Sequence, residues 1–191
     1  MLAVMPPRHA ARQGLRVQGF TLIELLMTLA IVAVLASLAV PSFRSIASNQ
    51  ALSNAASDLM SATLQARTMA LKTNRRTLVQ PIASDDWRTG WRVYVDLNTN
   101  GAFDEGVDTL VATREALPLD VAVGSLTGSG ENLSVVVFGY GGDGFLANVG
   151  GSYSGSVLLQ SSYTGRKKYL SVSRVGRARL CDPKSSPGCE P

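Results

Sequence analysis

The sequence predicts an α+β chain in which one long N-terminal α-helix, membrane-spanning in its first half, packs on a C-terminal antiparallel β-sheet domain. Three observations carry this. Residues 20–40 form an apolar run of 21 residues with a single charge, Glu24. Residues 42–74 contain no Gly or Pro and place small and apolar side chains at steps of three and four, the spacing of one helical face. From Thr77 onward, short β-prone runs alternate with Gly, Asn and Asp clusters, as in an antiparallel sheet.

The apolar run is long enough to cross a bilayer as a helix. Arg8, Arg12 and Arg16 precede it, and basic residues at that end hold it in the cytoplasm, so the remainder is expected outside, in the periplasm. A secretory signal would have an apolar core of about 7–15 residues and a small-residue cleavage site. Pro41-Ser42-Phe43 is a poor one. A plain membrane anchor fits the length but leaves Glu24 unanswered, because a carboxylate within a span is costly and normally finds a partner.

Gly19-Phe20-Thr21-Leu22-Ile23-Glu24, followed directly by the apolar run, resembles the processing site of type IV prepilins and type II secretion pseudopilins. The resemblance implies a type IV pilin-like fold and a leader, residues 1–19, that a prepilin peptidase removes. The new N-terminus, Phe20, would be methylated. It also implies that Glu24 pairs with the N-terminal amine of a neighbouring subunit. Pairing two charges that each lose hydration in lipid relieves both, so burial favours assembly.

Removal of the leader would leave 172 residues, enough for one helix-anchored domain. The formal charge of +4 would fall to 15 bases against 14 acids. The distribution is uneven: ten acids lie between Asp85 and Asp143, and seven bases between Arg166 and Lys184, which suggests surfaces with different partners. His9, the one histidine, lies in the leader, so a mature chain would lack a His base or ligand.

The helix is predicted over residues 20–74, about 80 Å at 1.5 Å per residue. Leu52, Ala56, Leu59, Thr63, Ala66 and Ala70 form its apolar stripe, and Arg44, Asn49, Asp58, Gln65 and Lys72 face elsewhere. Pro41 predicts a kink or local melting near Ala36–Pro41, and Asn74 before Arg75-Arg76 predicts the helix end. The β-rich domain, residues 75–191, follows, with strands expected over Thr77–Gln80, Trp91–Leu97, Thr109–Arg114, Val121–Ser125, Leu133–Phe138, Ser156–Gln160, Tyr169–Ser173 and Ala178–Leu180. Residues 126–132 and the glycine-rich stretch 139–155 read as loops.

Asp96, Asn98, Asn100 and Asp104, with Gly101 at the sharp turn, follow the start of a calcium loop. Val107 stands where the bidentate Glu is needed, and Asn100-Gly101 between β runs is equally a hairpin turn, the favoured reading. No cofactor is expected. Asp85-Asp86 reads as a solvated turn, and Gly139–Gly144 lacks the strand, helix and lysine of a phosphate loop. No nucleophile has an activating base, so no enzyme is expected. In an oxidising periplasm Cys181 and Cys189 are expected to form a disulfide closing a short loop; a metal pair is the weaker alternative, lacking further soft ligands.

Near the C-terminus, alternation at Arg177, Ala178 and Arg179 places two guanidiniums on one side of an extended segment, and Gly176 lets the chain turn so that Arg174 approaches them. Such a cluster suits phosphate, which accepts bidentate hydrogen bonds from Arg. A solvated sheet edge is the competing reading. The pattern Val-Ser-Arg-x-Gly-Arg-x-Arg is similar to that of FimT/FimU-type minor pilins of the GspH/FimT family; in the FimT-type members a Gly-Arg-x-Arg motif is implicated in DNA binding during natural transformation, and FimU-like priming pilins share the arginine pattern. The resemblance thereby implies Arg174, Gly176, Arg177 and Arg179 as DNA contacts. It implies other pilins, a prepilin peptidase, the inner membrane and DNA as partners, and a single-pass inner-membrane protein that enters a pilus tip. A GspH-like pseudopilin of a type II secretion system is the alternative.

Overall fold

The computed structural model describes residues 19–83, 86–126, 137–147 and 155–186. Its elements are α1 (Leu22–Thr73), β1 (Thr77–Ala83), β2 (Asp86–Val95), β3 (Thr109–Arg114), β4 (Val121–Leu126), β5 (Phe138–Tyr140), β6 (Gly155–Ser161), β7 (Lys167–Val172) and β8 (Ala178–Cys181). The chain divides into two compact units, Met1–Pro41 and Ser42–Pro191.

In the first unit every large apolar side chain from Phe20 to Val40 is exposed, so nothing among the described residues buries the run. A surface of this kind is stable only against lipid or other chains. The helical assignment passes through Pro41 without a break, contrary to the expected local melting. Pro41 removes one donor, the partner of the Ser37 carbonyl, and Leu, Ala and Ser neighbours with ordinary helix propensity carry the helix past it.

In the second unit the predicted stripe is the buried face of α1: Leu52, Ala56, Leu59, Thr63, Ala66 and Ala70 are all fully buried. Asn74 ends the helix in the left-handed conformation, φ 51°. The strands form two four-stranded antiparallel sheets, ordered β3-β2-β1-β5 and β4-β6-β7-β8. Both pack with α1 in one core, where Leu52 and Leu59 join Val79, Val93 and Phe138 of the first sheet and Val157, Leu159 and Leu170 of the second. Each such leucine contributes about 1.5–3 kcal/mol by leaving water. Trp87 lies 5.6 Å from the Phe138 ring and 6.3 Å from Trp91, centroid to centroid.

Several strand boundaries differ from the sequence reading. β1 runs past Pro81 because β5 pairs only with residues 77–79, so the missing N–H faces no ladder there. β2 begins five residues early and includes Gly90 at φ +91°, where a Cβ would fall 2.0 Å from the Arg114 carbonyl oxygen. Gly139 and Tyr140, read as loop, are strand: Tyr140 is fully buried and pairs with Thr77, and that burial outweighs the glycine content around it. Of the strand expected at Leu133–Phe138, residues 133–136 lie outside the described residues, as do the leader through Gln18, Asp85, loop residues 127–132 and Cys189.

Candidate functional site

Two places in the chain carry function-bearing residues. The first is the start of α1. Gly19 and Phe20 precede the helix, Phe20 is exposed, and among the described residues no atom beyond its chain neighbours lies within 4 Å of the Cβ position at Gly19. Thr21 caps α1: its Oγ1 accepts the Glu24 N–H at 3.3 Å, and Glu24 Oε2 accepts the Thr21 N–H and hydroxyl at 2.9 Å each. This reciprocal box satisfies two orphan donors of the first turn and fixes where the helix begins.

The second is the turn between β7 and β8. Ser173 N–H donates to the Arg177 carbonyl at 3.0 Å, and Gly176 N–H donates to the Ser173 carbonyl at 2.8 Å. Gly176 takes φ +74°, completing a three-residue hairpin loop whose last member must be left-handed. The loop is anchored from outside as well. Leu146 N–H donates to the Arg174 carbonyl at 3.0 Å, and Arg67 of α1 donates to the Val175 carbonyl at 3.3 Å. A Cβ on Gly176 would come 2.3 Å from the Gly144 carbonyl oxygen and 3.2 Å from Tyr140. Burial pushes the Tyr140 hydroxyl up to about 12, against a lowering by the Arg67 charge and Thr63, so it stays neutral.

On this frame Arg177 and Arg179 are both exposed with Ala178 between them, and Arg179 stands opposite Ser171 across the ladder. They share one face with Ser171, Ser173 and Val175 and line a concavity of about 390 Å3. Two guanidiniums and the Ser171 hydroxyl offer donors to phosphate oxygens, while the Ser173 hydroxyl donates to the Arg177 carbonyl at 3.3 Å. Arg174 sits at the loop's start and is not among the lining residues.

The acidic turn after β2 pairs most of its polar groups internally, but the buried Asp96 Oδ1 has no hydrogen-bond partner among the described residues. Arg76 pairs through Nε and Nη2 with Asp96 Oδ2, which also accepts the Gly101 N–H. Asn98 and Asn100 donate their amides to Asp104 Oδ2 at 2.7 and 2.6 Å, and Asp108 accepts the N–H groups of Leu97 and Asp104. Guanidinium and amide donors thus occupy Asp96 Oδ2 and Asp104 Oδ2, two of the oxygens a cation would need, and leave Asp96 Oδ1 unpaired. Asp86, exposed, opens β2 and accepts the Arg88 N–H as in a local turn.

Residues 55–176 match the protein family described as Type II transport protein GspH, and residues 15–40 match the Prokaryotic N-terminal methylation motif. The chain belongs to the GspH family. It is thus a chain of the pilin and pseudopilin class with the type IV pilin-like fold. Two crystal structures of the Pseudomonas aeruginosa (strain PAO1) type IV minor pilin FimU are similar to it. The first has TM-score 0.56 and 18% identity over 72% of this chain and 92% of that one. The second has TM-score 0.51 and 18% identity over 70% and 94%. The minor pseudopilin EpsH from the Type 2 Secretion System of Vibrio cholerae is more distant, with TM-score 0.44 and 10% identity over 67% and 94%. No curated protein matches the chain by sequence.

In this GspH-family chain the structure brings Gly176, Arg177 and Arg179 together and leaves Cys181 at the end of β8. Sequence reasoning missed Arg67. It lies 108 positions from Val175, and nothing local marks it, since its neighbours Ala66 and Ala70 signal only a packed helix face. The C-terminal bases, which read as one run, are divided: Arg166, just before β7, and Lys167, its first residue, lie at one end of the sheet and the arginine turn at the other.

Proposed function

We propose that this chain is a minor pilin, processed after Gly19, that enters a type IV pilus near its tip and presents the β7–β8 turn as a DNA contact. It acts as a structural subunit and not as an enzyme. The methylation motif directly ahead of an unburied apolar helix supports processing at Gly19–Phe20, passage through the inner membrane and packing against other pilins, with Glu24 serving assembly and the head in the periplasm. The likeness to the FimU minor pilin in fold favours a pilus. The observation that carries the DNA reading is the anchored loop that holds Arg177 and Arg179 on one exposed face, with Arg174 adjacent. A disulfide between Cys181 and Cys189 would close the chain after β8, contributing roughly 2–3 kcal/mol in the chain-entropy picture.

The test uses the full chain in detergent micelles and fluorescein-labelled duplex DNA. Three to five neutralised phosphates on duplex DNA give a log-log salt slope of roughly −2.7 to −4.5. Replacing Arg174, Arg177 and Arg179 with Ala should flatten that slope and weaken binding. Unchanged affinity in the triple variant defeats the DNA reading and leaves the pilin reading standing. Glu24→Ala should block entry into filaments and leave DNA affinity as it was. The second reading, a pseudopilin of a type II secretion system, is favoured by the GspH family description. Loss of protein secretion with normal pili in a strain lacking this chain would select it.

A further inference from the structure

The second sheet ends in two basic clusters, and the DNA reading uses only one. At the other end the β6–β7 turn is fastened to α1 close to where the apolar run stops. Ser48 and Ser161 hydroxyls, both buried, lie 2.8 Å apart, and Thr164 Oγ1 donates to Asn49 Oδ1 at 2.7 Å. The Arg44 guanidinium stacks 4.8 Å above the Tyr163 ring. Ser162 N–H donates to the Asp120 carbonyl at 2.8 Å, which sets the Leu119–Asp120 turn alongside.

This end is amphipathic in a particular way. Leu119 is 87% exposed, the highest value of any large apolar side chain among the described residues, and Tyr163 is 42% exposed. Arg44 lies on Tyr163, and Arg166, Lys167 and Lys184 stand at the same end of the sheet; among the described residues two carboxylates accompany them, Asp182, engaged by Arg166 at 2.6 Å, and Asp120. Arg166, Lys167 and Lys184 share a depression of about 360 Å3 with Asn49 and Thr164. Exposed Tyr and Leu beside Lys and Arg is the composition of surfaces that rest at a lipid interface.

Covalent reach points to the same partner. Asn49 is nine residues beyond Val40, and nine residues span at most about 30 Å even when fully extended. If residues 20–40 cross the membrane, this end of the head stays within that distance of the headgroups. We propose that it is a docking surface for anionic phospholipid: Leu119 and Tyr163 enter the interface, and Arg44, Lys167 and Lys184 take headgroup phosphate. The surface would hold an unassembled subunit on the membrane with its arginine turn directed away from lipid. The inference rests on the membrane-spanning reading of residues 20–40. Each cation near an anionic surface favours docking about fivefold, so three together favour it about a hundredfold.

The test places the full chain in nanodiscs of phosphatidylcholine alone or with phosphatidylglycerol, each doped with brominated lipid. Leu119→Trp supplies the reporter, read against a parent whose Trp87 and Trp91 are buried. Ala33→Trp reports the span. The expected result is quenching at position 33 in both discs, but at position 119 only with phosphatidylglycerol, lost in high salt and in R44Q/K167Q/K184Q. Equal quenching at 119 in the two lipids, or the same quenching in the triple variant, overturns the docking surface when position 33 is quenched. Absence of quenching at 33 overturns the spanning reading instead. Protection of position 119 that rises with protein concentration, with no lipid dependence, assigns the surface to a second copy and also overturns the proposal.

Discussion

Gly176→Ala tests whether the arginine turn is a built structure or an incidental loop. The substitution meets two costs that can be separated. An L-residue at φ +74° costs about 1–2 kcal/mol in backbone energy. The new Cβ would also sit 2.3 Å from the Gly144 carbonyl oxygen, a backbone atom with little freedom, which adds about 1–3 kcal/mol of overpacking. Gly106→Ala supplies the comparison, because Gly106 has φ +82° and nothing within 4 Å of its Cβ position, so only the backbone cost applies. The melting temperature of the full chain in micelles, followed by circular dichroism, should then fall roughly 4–20 °C for Gly176→Ala and about 2–8 °C for Gly106→Ala, at about 2–4 °C per kcal/mol. DNA affinity should drop in the first variant although no charge is lost, because displacing Gly176 disturbs the contacts that Val175 and Arg174 make with Arg67 and Leu146. Equal losses in the two variants would refute the reasoning, since they would mean that the turn does not press against Gly144.

Leu59→Ala, at a fully buried position on the α1 stripe, should cost about 2–5 kcal/mol in a denaturant titration, whereas Asp58→Ala, which breaks an exposed pair with Arg114, should cost less than about 1 kcal/mol. Arg76→Ala leaves the buried Asp96 carboxylate without its guanidinium and should cost about 3 kcal/mol, while EDTA should leave the melting temperature of the parent chain unchanged; a fall on chelation would restore the calcium reading of the turn. Burial raises Asp182, but hydrogen bonds from Arg166 and the Lys184 N–H hold it below its ordinary value of 3.8. A depressed carboxyl contributes stability above its unfolded pKa and loses it as pH falls through the folded one. Asp182→Asn should therefore lower the melting temperature at pH 7, and the difference from the parent should shrink as pH falls through the folded pKa of Asp182.

The parts of the fold legible in the sequence are those written in short-range pattern. The α1 stripe at steps of three and four is fully buried as expected, Asn74 ends the helix, and Thr109–Arg114 is a strand over its whole expected length. Pro and Gly misled where tertiary pairing decides. Pro81 stays in β1 because its neighbour strand has ended, and Gly90 and Gly139 stay in strands because a backbone or a buried Tyr comes close. At the arginine turn the alternation of Arg177 and Arg179 and the need for Gly176 could be read directly. What holds the turn could not: Arg67 and Leu146 reach it from 108 and 28 positions away, and local pattern has no trace of pairings at such separation. For the same reason the sequence gathered Arg166, Lys167 and Arg177 into one basic run, which the antiparallel ladder sends to opposite ends of a sheet.

The claim on which the account turns is that a peptidase converts this chain into a subunit whose apolar helix begins at Phe20. N-terminal sequencing and intact mass of protein recovered from the native membrane and from sheared filaments measure this directly. The account predicts a single N-terminus at Phe20, methylated on its amine, in both fractions. A chain that keeps residues 1–19, or one cut beyond Val40, would contradict it.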